Sequence, residues 1–223
     1  MKIKALVSLL VAGLAAASCA SARDFATSID LGTTGLGLHV TTPLAAKLNA
    51  RVGVNFADYS YDGNTSDVDY DFKLKLATFD ALLDYHPFDG AFRVSGGAVY
   101  NGNQIDAYAK PNAAGTYTIN GNVYSSAAMG DLTGKIDFKK VAPYLGIGLG
   151  NAVQNAGWSF AMDLGVTFQG APETELSSNG CTAPALVCAQ FARDVAVEKA
   201  KLDDEVSDFK LYPVMRVGVS YRF

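Results

Sequence analysis

The chain has no long apolar run after its first 22 residues, although hydrophobic residues make up 49% of its 223 positions. A membrane-spanning helix needs roughly 20 consecutive apolar residues, so the rest of the chain offers no candidate for one. The sequence has only two histidines, His39 and His86, which nearly excludes a histidine-based metal cluster. Its net charge of −4 argues against nucleic acid, because such binding calls for a clustered basic face. We expect no metal, no cofactor and no nucleic-acid partner.

The first residues read as an export signal. Lys2 and Lys4 precede an apolar run at positions 5–17, and Ala20-Ser21-Ala22 supplies a cleavage site of small residues. The sequence therefore predicts a signal peptide at 1–22 and one mature domain at 23–223 that begins at Arg23. Loss of the two lysines moves the net charge from −4 to −6, because residues 1–22 contain no acid.

The chain is poor in cysteine, with three residues in all. Cys19 would be acylated in a lipoprotein, but no large aliphatic residue stands three positions before it, so plain cleavage is favoured. Cys181 and Cys188 then form an even pair in a chain exported to an oxidising compartment. Such a pair favours a small disulfide loop over a metal site.

Apolar residues are spread at every second position, which is typical of strands with one apolar face. The clearest case is 158–169, where Trp158, Phe160 and Met162 alternate with Ser159, Ala161 and Asp163. A soluble sandwich and a membrane barrel both fit that segment alone. Elsewhere the polar faces carry glycines and mid-strand charges, which suit a narrow lumen, so the barrel is favoured. The predicted strands are eight: 29–40, 48–56, 70–85, 92–100, 132–138, 143–151, 158–169 and 209–223.

Charged side chains on the inward phase of these strands predict an ionic network that fills the lumen. An eight-stranded barrel is only wide enough for side chains or one small ligand, and unpaired buried charge is costly. The strand at 70–85 changes phase, so we expect a β-bulge near Ala77-Thr78. The predicted network is Arg51, Asp71, Lys73, Lys75, Arg93, Asp137, Asp163 and Arg216.

Three connections are long, near 61–69, 107–131 and 170–208. Within the second, the segment 117–124 predicts a hairpin around Asn120-Gly121. Within the third, 184–206 is helix-like, with Phe191, Val195 and Leu202 along one stripe. Counting eight crossings back from a periplasmic Phe223 puts 170–208 outside and 107–131 inside. Loop length would put both outside, so either one strand is miscounted or one long loop is periplasmic.

The export signal, the alternating strands and the ending from Val217 to Phe223 resemble the Gram-negative outer-membrane β-barrel proteins, most nearly the small OmpA/OmpW-like barrels. The resemblance implies an all-β transmembrane antiparallel barrel, with Tyr221 and Phe223 in the signal read by the barrel assembly machinery. It further implies outer-membrane lipid and lipopolysaccharide as surroundings, and a monomer. It specifies function weakly, because such barrels include pores, adhesins, anchors and enzymes.

A structural or surface-interaction role is therefore the leading interpretation, with a narrow pore for small solutes and a lipid A-modifying enzyme as alternatives. Catalysis needs a nucleophile, a base and an orienting acid together, and neither histidine shows them in sequence. Residues 62–67 begin like a calcium loop, but Asp67 replaces the required glycine. Aromatic residues at strand ends predict girdles at the lipid–water boundaries, with Trp158, Tyr85 and Tyr144 as the leading members.

Overall fold

The computed structural model describes residues 25–64 and 69–223, without the side chains of 61–70. The predicted signal peptide at 1–22, Cys19, Arg23 and the calcium-like side chains at 62–67 lie outside this description. In chain order the strands are β1 (Ala26–Gly32), β2 (Gly35–Ala45), β3 (Leu48–Asn64), β4 (Asp69–Tyr85), β5 (Phe92–Asn101), β6 (Gln104–Lys110), β7 (Thr116–Ile119), β8 (Asn122–Ser125), β9 (Asp131–Asp137), β10 (Val141–Leu149), β11 (Gly157–Phe168), β12 (Glu173–Asn179) and β13 (Leu211–Arg222), and the helices are α1 (Ser126–Met129) and α2 (Ala185–Val206).

Eight antiparallel strands close into a ring in the order β4-β3-β2-β1-β13-β11-β10-β5, with β5 pairing back to β4. The first and last strands meet, since Ala26 lies opposite Arg222. The all-β fold class and the count of eight strands are confirmed. Closure leaves no strand edge unpaired within the ring, which is what a sheet inside hydrocarbon requires.

Two predicted strands are wrong, and their errors cancel in the count. The segment 29–40 forms two strands, β1 and β2, joined at Thr33-Thr34. The segment 132–138 is β9, which pairs with β6 and β12 and lies outside the ring. The prediction missed the first turn because neither threonine is a strong turn former.

This correction resolves the conflict over the loops. Ala26 and Arg222 lie at one end of the ring, here called the terminal end, where the connections at 46–47, 86–91 and 150–156 are short. The other end, here called the loop end, carries the long excursions of β3 and β4 together with 102–140 and 169–210. Both long connections therefore emerge on the same side, as loop length predicted.

The outward face of the ring is an apolar belt. Along β11 the even-numbered side chains point outward, with Trp158 77%, Phe160 62% and Leu164 52% exposed, whereas the inward Asp163 is 5% exposed. Segments of 9–11 residues span a bilayer in tilted β-strands, and the stretch from Trp158 to Phe168 has this length. A belt of this size on a closed ring is surface that hydrocarbon covers.

Strand β4 contains no β-bulge, so that prediction is wrong. Its register with β3 runs without a shift from Tyr85 to Asp69, and from Lys73 to Tyr85 the odd-numbered side chains face outward. What changes is chemistry: the outward face is apolar at Phe79 and Leu83 but charged at Lys73 and Lys75. The exchange occurs because β4 leaves the apolar belt near Ala77 and continues beyond it into water.

Beyond the ring, β4 continues a sheet through β6, β9 and β12, here called the extension sheet. The β7–β8 hairpin and α2 pack on this sheet around their own apolar core; together they form the loop domain. Of the described helices, none is both long and apolar enough to cross a membrane. The buried core residues are Tyr117, Ile119, Tyr124, Met129, Leu132, Phe191 and Val195.

The predicted hairpin and disulfide of the loop domain are both present. Asn120 and Gly121 take positive φ values of 51° and 77°, as a two-residue hairpin turn requires. Cys181 and Cys188 are bonded with their Cα atoms 6.1 Å apart. The bridge ties the residues before α2 to its first turn, next to the core.

The belt yields a matched test in which one substitution is placed in two environments. Leu164 and Leu186 are both exposed, the first on the belt and the second, at 86%, on α2. Leu164→Arg should lower the free energy of unfolding by about 2–4 kcal/mol, because the charge enters hydrocarbon. Leu186→Arg should change it by less than about 0.5 kcal/mol. Urea unfolding from lipid vesicles, followed by Trp158 fluorescence, measures both, and equal costs would contradict a lipid-facing belt.

Candidate functional site: an ion-filled lumen and its loop domain

The lumen is crossed by a first group of ionic side chains, here called the first crossbar. Arg51 on β3 reaches β11 on the opposite side of the ring, where its Nη1 lies 2.8 Å from Asp163 Oδ2. Its Nε lies 2.9 Å from Asp84 Oδ2. Arg93 donates to the other oxygen of Asp163 at 2.8 Å, and Ser95 donates to Asp84 at 2.5 Å. All five residues are buried.

A second crossbar lies toward the loop end. Arg216 on β13 bonds Asp80 on the opposite strand β4, with Nη1 2.7 Å from Oδ2. His39 stands between two carboxylates, with Nδ1 2.8 Å from Asp30 and Nε2 3.2 Å from Asp80. Asn55 also donates to Asp80 at 3.0 Å. The crossbars together hold three arginines and four aspartates, and His39 lies between two of the aspartates.

Tyr144 fills the lumen beside the crossbars, with only 3% of the residue exposed. Glycines on neighbouring inward positions make room for its ring: a Cβ at Gly146 or Gly165 would collide with it. The alternating glycines of β10 therefore serve packing inside the ring. Leu82, Val99 and Val214 form one buried apolar cluster with Tyr144.

The space left in the lumen is small. A cavity of about 20 Å³ lies among the crossbars, and another of about 10 Å³ lies toward the loop end. A site needs roughly 10–15 Å³ of such volume to hold one water molecule. A wider recess of about 450 Å³ opens at the terminal end and shares Asn49 and His86 with the central cavity. Among the described residues, the two small cavities beside the crossbars are therefore each large enough for about one water molecule.

The predicted network divides between two places. Arg51, Arg93, Asp163 and Arg216 come together in the crossbars. For Asp71, Lys73, Lys75 and Asp137 the predicted lumen position is wrong, because all four lie on the extension sheet. The assumed bulge had turned the residues of β4 inward, and Asp137 belongs to β9. There Lys75 bonds Asp106 at 2.6 Å, and Asp137 bonds Lys135.

Four acidic or basic residues of the crossbars were missed: Asp30, His39, Asp80 and Asp84. Asp80 and Asp84 occupy the phase opposite Phe79 and Leu83, so the alternation of β4 alone could have placed them inside. In the described residues neither histidine is hydrogen-bonded to a serine hydroxyl. His86 instead contacts the Asn49 amide at 3.2 Å and the carbonyl of Gly90 at 3.1 Å.

The predicted girdle residues take two different positions in the structure. Trp158 and Tyr85 lie exposed on the outward face near the terminal end, whereas the girdle prediction is wrong for Tyr144, whose ring fills the lumen. Tyr221 packs on Trp158 with ring centroids 5.1 Å apart. Phe223 lies 5.1 Å from Tyr221 in the same cluster. Their reading by the assembly machinery stays a prediction.

Asp194 joins α2 to the hairpin of the loop domain. Tyr124 donates its hydroxyl hydrogen to this carboxylate, Asn122 donates at 2.8 Å and Asn120 at 3.2 Å. These bonds, led by that from Tyr124, lower the pKa of Asp194 to about 2. Burial, together with the bond to Asp194, raises the pKa of Tyr124 to about 12. One carboxylate thus holds the turn and the last strand of the hairpin against the helix.

Comparison with known proteins identifies similar folds. No protein-family model matches the chain, and no curated protein sequence matches it. The structure of CarO2 from Acinetobacter baumannii is 20% identical, with a TM-score of 0.56 over 90% of this chain and 99% of that one. CarO from the same organism is 21% identical, with a TM-score of 0.52 over 90% and 98%. These identities show a shared fold, that of the outer-membrane β-barrel proteins.

A third similar structure is a major outer membrane protein from Thermus thermophilus. It is 16% identical, with a TM-score of 0.46 over 91% of this chain and 100% of that one. Likeness at this level is too low to add to the argument.

Removal of one arginine tests the first crossbar. Arg51→Met leaves the carboxylates of Asp84 and Asp163 buried without their main partner, which should cost about 3–5 kcal/mol of unfolding free energy. Lys47→Met breaks the exposed ion pair with Asp89 at the terminal end and should cost less than about 1 kcal/mol. Urea titration in vesicles compares the two variants. Similar losses would mean that Arg51 is as solvated as Lys47.

Acid should loosen the loop domain through Asp194. Because its folded pKa lies below the ordinary value of 3.8, its contribution is complete above pH 3.8 and is lost as pH falls toward 2. The protection of the α2 amides against hydrogen exchange, relative to an unfolded chain at the same pH, should fall over that window while the ring stays folded. Asp194→Asn should exchange faster at neutral pH and lose much of the acid response. The control Asp204→Asn, at an exposed position of α2, should match the wild type; an unchanged acid response in Asp194→Asn would contradict the assignment.

Proposed function

We propose that the protein is an integral outer-membrane barrel, closed along its axis, that holds the loop domain at the cell surface in a structural or surface-interaction role. The observation that carries the proposal is the filled lumen. Both crossbars reach between opposite strands, and Tyr144 occupies the space beside them. A solute larger than water has no path through such an interior.

The lengths of the connections at the two ends of the ring support an orientation of the barrel in the membrane. In bacterial barrels the short turns face the periplasm and the long loops face outward. All long connections leave this ring at the loop end, so the loop domain is extracellular and Phe223 is periplasmic. The barrel would be assembled by the machinery that reads Tyr221 and Phe223 and would stand as a monomer in lipopolysaccharide-containing membrane.

The construction of the loop domain supports the proposal that the barrel holds this domain at the cell surface. The domain has its own buried core, one disulfide and a carboxylate that joins helix to hairpin. Its sheet is continuous with β4 of the ring through backbone pairing. A mere connection between strands needs none of these features, because loop closure itself adds little cost with length.

A narrow pore is the second candidate, favoured by the alignment of the cavities. The recess at the terminal end shares walls with the central cavity, which shares Arg216 with the cavity toward the loop end. Conduction would require both crossbars to open. A lipid A-modifying enzyme has less support, because His39 is held by two aspartates and His86 by an amide and a carbonyl.

Single-channel recording in planar bilayers separates closed barrel from pore. The wild-type protein is first shown to be a folded barrel by the shift in its gel mobility on boiling. We expect this folded protein to give no steady conductance steps. Gly148→Leu adds bulk beside Arg93 in the lumen, and Ala81→Leu introduces the same side chain on the outward face. Steady steps that vanish in Gly148→Leu but persist in Ala81→Leu would establish the pore and overturn the closed barrel.

A further inference from the structure

Lys139 and Lys210 lie against Gly170 at the loop end of the ring, and Lys140 is the next residue along the chain from Lys139. The carbonyl of Lys210 accepts a hydrogen bond from the Gly170 amide at 3.0 Å. The side chain of Lys139 lies so close over Gly170 that a Cβ there would meet its Cδ at 3.0 Å. Lys140 follows Lys139 directly and is exposed. These three residues, here called the lysine cluster, come from the segments that precede β10 and β13.

The lysine cluster differs from most of the other described lysines in lacking close acidic partners. Within the described ranges neither Lys139 nor Lys210 forms an ion pair, and Lys140 has only a loose contact of 3.9 Å with Asp137. Lys73 stacks over the ring of Tyr108. The remaining lysines are paired at 3.3 Å or less: Lys47 with Asp89, Lys75 with Asp106, Lys110 with Asp71, Lys135 with Asp137, Lys199 with Asp203 and Lys201 with Glu198.

The lysine cluster stands at the edge of the apolar belt. Lys140 adjoins Val141, Lys210 adjoins Leu211, and Phe168 lies two residues before Gly170. These three apolar residues are 66%, 55% and 45% exposed on the outward face. Exposed lysines at the edge of an apolar surface match an amphiphile whose acyl chains lie on that surface and whose anionic groups lie at its edge.

The terminal end has no matching feature among the described residues. Its lysine, Lys47, is paired with Asp89 at 2.7 Å. Arg222 bonds the carbonyls of Val153 and Gln154. This difference between the two ends of the ring therefore indicates that an anionic lipid would bind in the leaflet on the side of the loop domain.

We propose that the lysine cluster binds the phosphate groups of an outer-leaflet glycolipid whose acyl chains lie on Val141, Phe168 and Leu211. The inference rests on the outer-membrane location proposed above and names the lipid partner of that barrel. Each basic residue near a membrane surface contributes about 1 kcal/mol toward anionic lipid, or roughly 5-fold in affinity.

Native mass spectrometry in detergent micelles tests the site with a bis-phosphorylated glycolipid. Lys139→Gln combined with Lys210→Gln should weaken binding about 30-fold, two such contributions. The matched control, Lys199→Gln combined with Lys201→Gln on α2, should bind as the wild type does. The dephosphorylated glycolipid should bind the wild type and the cluster variant equally, and more weakly than the phosphorylated form.

Other outcomes overturn the proposal in distinguishable ways. Unchanged affinity in a cluster variant that still shifts on boiling removes the lysine site and leaves the barrel intact. Competition by inorganic phosphate at the glycolipid's own concentration would mean a soluble anion site, which contradicts a lipid partner. A wild-type chain that stays soluble without detergent and shows no shift on boiling would refute the outer-membrane proposal itself.

Discussion

An eight-stranded ring leaves an interior the width of a few side chains, and the contact from Arg51 to Asp163 spans that interior from strand to opposite strand. Each of its charges would be costly inside the ring without the other. The surrounding small residues follow from this pairing, because glycines such as Gly148 stand where the guanidinium of Arg93 needs space. The polar faces of the strands are thus shaped around the ions.

The width of the lumen accounts for the fact that its paired charged side chains come from separate strands. A pair within one strand would leave the centre of the ring empty. Pairs between β3 and β11, and between β13 and β4, place their charged groups across the axis instead. The same contacts that satisfy buried charge also occupy the interior, so the pairing of the charges and the proposed closure of the lumen have one cause.

Sequence alternation was enough to predict a closed antiparallel sheet, because the period of two directly reports which side chains share a face. The count of eight was right only because two errors cancelled. It also placed Arg51, Arg93, Asp163 and Arg216 correctly, since the segments that carry them lie within the ring. It failed on β4, where the two faces exchange character without a change of phase. Alternation reveals that a face is apolar but not whether lipid or protein covers it, so the exchange was mistaken for a bulge.

Two other failures have the same physical origin. Tyr144 has an amphipathic ring that suits a girdle or a packed interior, and only the glycines of neighbouring strands decide between them. The strand at 132–138 has ordinary strand composition, and its partner β6 was hidden within a predicted loop. Local signals fared better: the Asn120-Gly121 turn and the Cys181–Cys188 bridge depend on residues close in sequence.

The loop domain draws its sheet from three separate stretches of chain: the β3–β4 excursion, the connection that carries β6 and β9, and the one that carries β12. None of these stretches contains a complete set of partners, and the ring is what brings their ends together. The domain can therefore mature only after the strands beneath it have found one another. A ligand or antibody that recognises the folded domain would bind finished barrels alone, from the side of the membrane opposite to the chain ends.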